Sequence, residues 1–132
     1  MKSTAQTDLG LLVLRVGAGV MMMTHGWGKL LMLLDGKGHD FADPVGAGPM
    51  ASLLLAVFAE FLCALLVVLG VKTRWTAIPL VVTMAVAALV VHASDPFNVK
   101  ELAALYGVVF LALVLTGGGR YSFDGWLGGR RR

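Results

Sequence analysis

Four stretches of this chain are too long, too apolar and too poor in charge to be covered by water. They lie at about 9–34, 50–71, 75–93 and 101–118. A helix needs about 20 apolar residues, rising 1.5 Å each, to cross a bilayer, and each stretch meets or approaches that length. Inside lipid the backbone must satisfy its own hydrogen bonds, which leaves only helices and closed barrels. Barrel strands are short and alternate apolar with polar residues; these runs do not alternate. The expected fold is therefore all-α: an integral membrane four-helix bundle with short loops, a single domain, and a basic tail over 119–132.

The residue budget points the same way. Only 14% of the chain is charged and 58% is hydrophobic, whereas a soluble domain carries about 25% charged residues. The net charge of +3 would raise nucleic-acid binding in a soluble protein. Here the basic residues cluster at the ends of apolar runs and no nucleic-acid motif accompanies them, so the lipid bilayer is the expected partner and nucleic acid is not. The first apolar run carries Arg15 in its interior and no small-x-small site follows, so it reads as a retained helix rather than a cleaved leader.

Cys63 is the single cysteine, which excludes an internal disulfide, and no Cys/His spacing suited to a metal is present. Met21, Met22 and Met23 do not form a copper site, because consecutive helical residues face different directions. Gly17-Ala18-Gly19 is a small-residue stretch of the kind that lets two helices approach.

Loop chemistry organises the runs. The segment Asp35–Pro49 is rich in glycine and proline; Lys72–Arg74 admits only a tight antiparallel turn; Asp95-Pro96 opens a third connection within Ser94–Lys100. Basic residues divide unevenly between the two faces. Seven (Lys2, Lys72, Arg74, Arg120, Arg130, Arg131, Arg132) fall on the side of the termini, against Lys37 and Lys100, with Lys29 as a third if it reaches the interface. By the positive-inside rule both termini are expected in the cytoplasm.

Ionisable residues inside a spanning segment cost several kcal/mol unless paired or hydrated, so each is a candidate functional residue. Helix rise places Arg15 ~9 Å and Glu60 ~16 Å from the cytoplasmic edge. That spacing predicts a structural ion pair between Arg15 and Glu60. The same rise places His25 at ~24 Å, His92 at ~26 Å and Glu101 at ~25 Å, with Lys29 one turn above His25. Three helices thus bring His25, His92 and Glu101 to one level, which predicts an outer polar pocket completed by Lys29.

These residues, taken in order, carry a resemblance to a known family. Leu14-Arg15 sits early in helix one and His25-Gly26-Trp27-Gly28-Lys29-Leu30 closes it. Glu60 follows in helix two, His92 ends helix three, and Glu101 opens helix four. The chain then closes on Gly117-Gly118-Gly119-Arg120-Tyr121-Ser122-Phe123-Asp124. This ordered set resembles the DoxX family of small bacterial membrane proteins over nearly the whole chain. The resemblance implies a four-helix bundle in the bacterial cytoplasmic (inner) membrane. It also implies a link to redox chemistry, since the family takes its name from a subunit of a thiosulfate:quinone oxidoreductase and has relatives in oxidative-stress complexes.

Three functions follow as expectations. The first is a membrane subunit of a redox or oxidative-stress complex, working with a membrane or peripheral redox protein. A quinone would then sit among His25, His92 and Glu101, and Glu101 would exchange the accompanying proton. A haem held between His25 and His92 is the alternative cofactor. The second function is a non-catalytic scaffold or assembly factor. The third is a small-solute or proton carrier built on Glu60, which at this chain length calls for a homo-oligomer.

Overall fold

The computed structural model describes residues 4–130, with the side chain of Arg130 left out. Four long helices account for most of it: α1 (Ala5–Leu34), α2 (Pro49–Leu69), α3 (Thr73–Val91) and α4 (Phe97–Thr116). A short α5 (Phe123–Arg130) follows, and no strand occurs among the described residues. α2, α3 and α4 hold 21, 19 and 20 residues, about 30 Å of helix each, which matches the hydrocarbon core. α1, with 30 residues, is about 45 Å long and extends past the core or tilts within it.

Local chemistry sets the ends of the helices. α1 begins at Thr4, whose side chain accepts from the Thr7 backbone N–H. α2 begins with Pro49, whose missing N–H costs nothing in a first turn. It ends at Gly70, which takes the left-handed conformation with φ +74°. α4 follows directly on the extended Pro96, so Glu101 lies in its second turn and does not open it.

The molecule is apolar outside as well as inside. Val13, Leu34, Trp75, Leu89, Val108 and Leu115 are all at least 66% exposed, while Arg15 and Glu60 are buried at 1% and 4% exposure. Water does not stabilise that distribution and lipid does: the chain is a membrane protein. Its core joins Ala18 and Met22 of α1, Cys63, Ala64 and Val67 of α2, Ala77, Leu80 and Met84 of α3, and Tyr106, Phe110 and Leu113 of α4. Cys63 is a buried packing residue. Of the three consecutive methionines only Met22 is buried; Met21 is half exposed.

Small residues set the α1–α2 distance. A Cβ on Gly19 would stand 2.5 Å from Val68 Cγ2, and one on Gly26 would stand 2.5 Å from the Glu60 carbonyl oxygen and 2.7 Å from the Phe61 nitrogen. Gly17, by contrast, has open space around it.

The residues after Gly118 form more than a tail. The Arg120 backbone N–H donates to Asp8 Oδ1 at 3.0 Å. The Asp124 carboxylate accepts from the backbone N–H groups of Lys72 (2.7 Å) and Thr73 (2.9 Å), so it caps the N-terminus of α3 from a distant part of the sequence. Of the basic residues counted for orientation, Lys2, Arg131 and Arg132 lie outside the described residues.

Candidate functional site

Arg15 and Glu60 do not pair. Arg15 Nη1 donates to the carbonyls of Val67, at 3.0 Å, and Val68, while Nη2 donates to the Tyr121 carbonyl at 2.6 Å. The guanidinium therefore caps the C-terminal end of α2, where a cation meets the negative end of the helix dipole, and ties the closing segment to the bundle. Glu60 instead forms an ion pair with Lys29. The reason is the direction in which helical side chains lean. A Cα–Cβ bond tilts toward its own helix N-terminus. On α1 this sends both Arg15 and Lys29 toward the end of the bundle that bears the termini. On the antiparallel α2 it sends Glu60 the opposite way, so Lys29 and Glu60 converge while Arg15 and Glu60 diverge.

The polar level expected near the first and third loops does not assemble as one site. His25 is exposed on α1 and meets Tyr106 of α4 edge-on, with ring centroids 5.9 Å apart. Glu101 is exposed on α4 and enters no ion pair among the described residues. His92 ends α3 and its Nδ1 lies 2.7 Å from Asp95 Oδ2. The two imidazoles expected to hold a haem thus serve different partners.

What the fold builds is a cavity of about 540 Å³ between α2 and α3, roofed by the first loop. Lys29, Glu60 and His92 line it; His25 and Glu101 do not. Most of the remaining wall is apolar, with Phe41, Leu55, Phe58, Ile78 and Val82 prominent. Leu55, Phe58 and Val82 are half exposed on the outer surface, so the cavity opens toward lipid. Ser52 and Thr83 add two hydroxyls, the second donating to the Pro79 carbonyl at 2.7 Å. A second hollow of about 460 Å³, against Gln6, Leu9, Gly10, Val13 and Leu14, is a groove on one face of α1 with a single polar side chain.

Both long walls of the cavity depart from regular α-helix where they face it. α2 is a π-helix over Phe58–Cys63 and α3 over Ala87–Val91. Such segments leave the normal hydrogen-bond ladder and concentrate at functional sites. The first loop is tied down by Asp43, whose Oδ1 accepts from Ser52 Oγ at 2.7 Å and whose Oδ2 accepts from the Gly48 N–H at 3.0 Å. These bonds, the Ser52 hydroxyl foremost, hold the Asp43 carboxyl below the usual carboxylate range.

A family model described as DoxX matches residues 10–93, a span that includes Arg15, His25, Lys29, Glu60 and His92. The chain belongs to the DoxX family. An uncharacterized protein of Haemophilus influenzae is 32% identical over 121 residues, covering 84% of this chain and 85% of its own. Inner membrane protein YqjF of Escherichia coli is 29% identical over 121 residues, covering 89% of this chain and 91% of its own. No solved structure matches. In this DoxX protein the family match ends just past His92, so Asp95, Glu101 and the closing segment lie beyond it.

Three residues of this site were not read from the sequence. Asp95 follows His92 by three positions just before a proline, a spacing that could have signalled the pair. Asp43 ties the first loop to Gly48 and Ser52 at the start of α2, and the sequence signal is an Asp at the start of a Pro/Gly loop leading into a helix.

Proposed function

We propose that this DoxX protein is an inner-membrane subunit of a redox or oxidative-stress complex and that its cavity receives a quinone headgroup. One arrangement carries the reading: a lipid-open, largely apolar cavity with an ion pair, Lys29–Glu60, in its wall. An ion pair is expensive in a bilayer and marks a functional site by default, and this one faces a cavity. The volume falls within the range of about 300–1,000 Å³ typical of small-molecule sites. Lys29 has N–H donors beyond the one given to Glu60, and these suit a ring carbonyl. The apolar tail would leave between α2 and α3 into lipid. The inner-membrane location rests on the name of the Escherichia coli relative, and cytoplasmic termini rest on the basic bias of the loops.

The test is binding. Protein purified in mild detergent is extracted for lipid mass spectrometry and titrated with decylubiquinone. Bound quinone and saturable binding are expected. The double variant Lys29→Met/Glu60→Gln keeps the site neutral and should weaken binding about tenfold or more, the contribution of a hydrogen bond from a charged donor. Absence of saturable binding, or unchanged affinity in the double variant, overturns the reading. A co-purified protein with no small molecule would favour the scaffold function instead.

A further inference from the structure

We infer that His92, held by Asp95, makes the cavity select the reduced, hydroxyl-bearing form of its ligand over the oxidised, carbonyl form. The inference deepens the quinone reading of the cavity and rests on it. His92 lines the cavity, while Asp95, the partner of its Nδ1 at 2.7 Å, is not part of the lining. A carboxylate can only accept, so the nitrogen facing it carries the proton. In the neutral imidazole that leaves Nε2 as a lone pair, and no hydrogen bond within the described residues occupies it. A neutral imidazole oriented in this way by a carboxylate presents an acceptor to whatever shares its pocket.

The other polar groups sharpen the discrimination. Lys29 donates, and it serves a hydroxyl oxygen and a carbonyl oxygen alike. Glu60, its partner in the cavity wall, accepts. Lys100 reaches the Ala93 carbonyl at 3.3 Å, one residue beyond His92, and so is engaged with the backbone of the turn. A ligand bearing an O–H therefore satisfies Lys29 and His92 together. A ligand bearing only carbonyls satisfies Lys29 and sets a lone pair against the lone pair of Nε2. Asp95 acts through His92 and is a positioning residue: it fixes which nitrogen is bare.

Two soluble probes test this, decylubiquinol and decylubiquinone, with the di-O-methyl ether of the quinol as a ligand of similar shape that lacks O–H donors. Affinities are measured by titration under anaerobic conditions on the intact protein in detergent. The wild type should bind the quinol about fivefold to tenfold more tightly than either of the others, the contribution of one net hydrogen bond. Asp95→Asn frees the tautomer, as an amide can donate to Nδ1 as well as accept, and the quinol preference should fall toward unity. His92→Phe keeps an aromatic ring at this position but no ring nitrogen, and the ratio of quinol to quinone affinity should fall to about one. A merely structural role for the His92–Asp95 pair would lower all three affinities in parallel and leave their ratio unchanged, which overturns the inference. Equal affinities in the wild type overturn it too, while the quinone reading stands. Binding of none of the probes overturns both.

Discussion

Replacing Lys29 by methionine leaves the Glu60 carboxylate without its cation at a position only 4% exposed. Breaking a buried ion pair from one side costs about 3–5 kcal/mol. The Lys29 side chain keeps 28% of its exposure, so water already screens part of the attraction and the lower end, about 3 kcal/mol, is expected. Glu60→Gln should cost less, about 1–2 kcal/mol, because Lys29 stands five residues from the end of α1 at Leu34 and its ammonium can snorkel to the interface. The double variant removes both charges. It should lose about 1–2 kcal/mol instead of the sum of the single losses, a coupling of about 2–3 kcal/mol for a contacting pair. The assay is unfolding in mixed micelles titrated with a denaturing detergent, followed by far-UV circular dichroism for the wild type and all three variants. A double variant that loses the sum of the two single losses within about 0.5 kcal/mol would refute the pairing.

Gly26→Ala places a Cβ 2.5 Å from a backbone carbonyl and should destabilise by about 1–3 kcal/mol, whereas Gly17→Ala, in open space, should change stability by no more than about 0.5 kcal/mol; thermal melts of both variants check the contrast. Asp124→Ala removes the cap on α3 and should cost about 0.5–2 kcal/mol, with faster hydrogen exchange at the Lys72 and Thr73 amides as its local signature. The Asp43 carboxyl is held below its ordinary range in the folded chain, so its contribution is present above the unfolded pKa and is lost as pH falls through the folded one. Hydrogen exchange over residues 41–52 should accordingly quicken at acid pH, and Asp43→Asn should abolish that acid-side change. For topology, alkaline phosphatase fused after Arg132 should be inactive and fused within the first loop active; the reverse would invert the orientation.

The four membrane helices were legible because each is specified by a property summed over about 20 residues, which no single side chain can undo. The site was legible only in part. Arg15, Lys29, Glu60 and His92 stood out because a charge in lipid demands a partner, but the identity of each partner was not written in depth alone. Counting rise per residue put Arg15 near Glu60; it carried no information on which way each side chain leans, and that lean decides the pairing. His25 and Glu101 shared a depth with His92 without sharing a cavity, since depth fixes one coordinate of three. The carbonyls that take up Arg15 have no sequence signature, as every residue supplies one. In the sequence Asp124 is one residue of a closing pattern, and its capping of α3 requires the chain to fold back across some 50 positions.

The face of α1 that meets α2 explains why these pieces occur together. Arg15, Gly19, Met22, Gly26 and Lys29 follow one another at steps of four, three, four and three, so they form a single stripe along the helix. Each meets α2 or the core in turn: Arg15 at the Val67 and Val68 carbonyls, Gly19 at Val68, Met22 in the core, Gly26 at the Glu60 backbone, Lys29 at the Glu60 carboxylate. The glycines bring the two backbones together, and only that closeness brings Glu60 within reach of Lys29. The stripe therefore performs two tasks with one geometry. At one end a cation is consumed by backbone carbonyls and locks the closing segment to the bundle. At the other a cation keeps donors to spare, beside a π-helical wall and an opening to lipid. A substitution that moved α1 outward by the width of a methyl group would weaken the lock slightly, because Arg15 is long and has several acceptors. It would disrupt the cavity much more, because the Lys29–Glu60 contact depends on the closest point of approach.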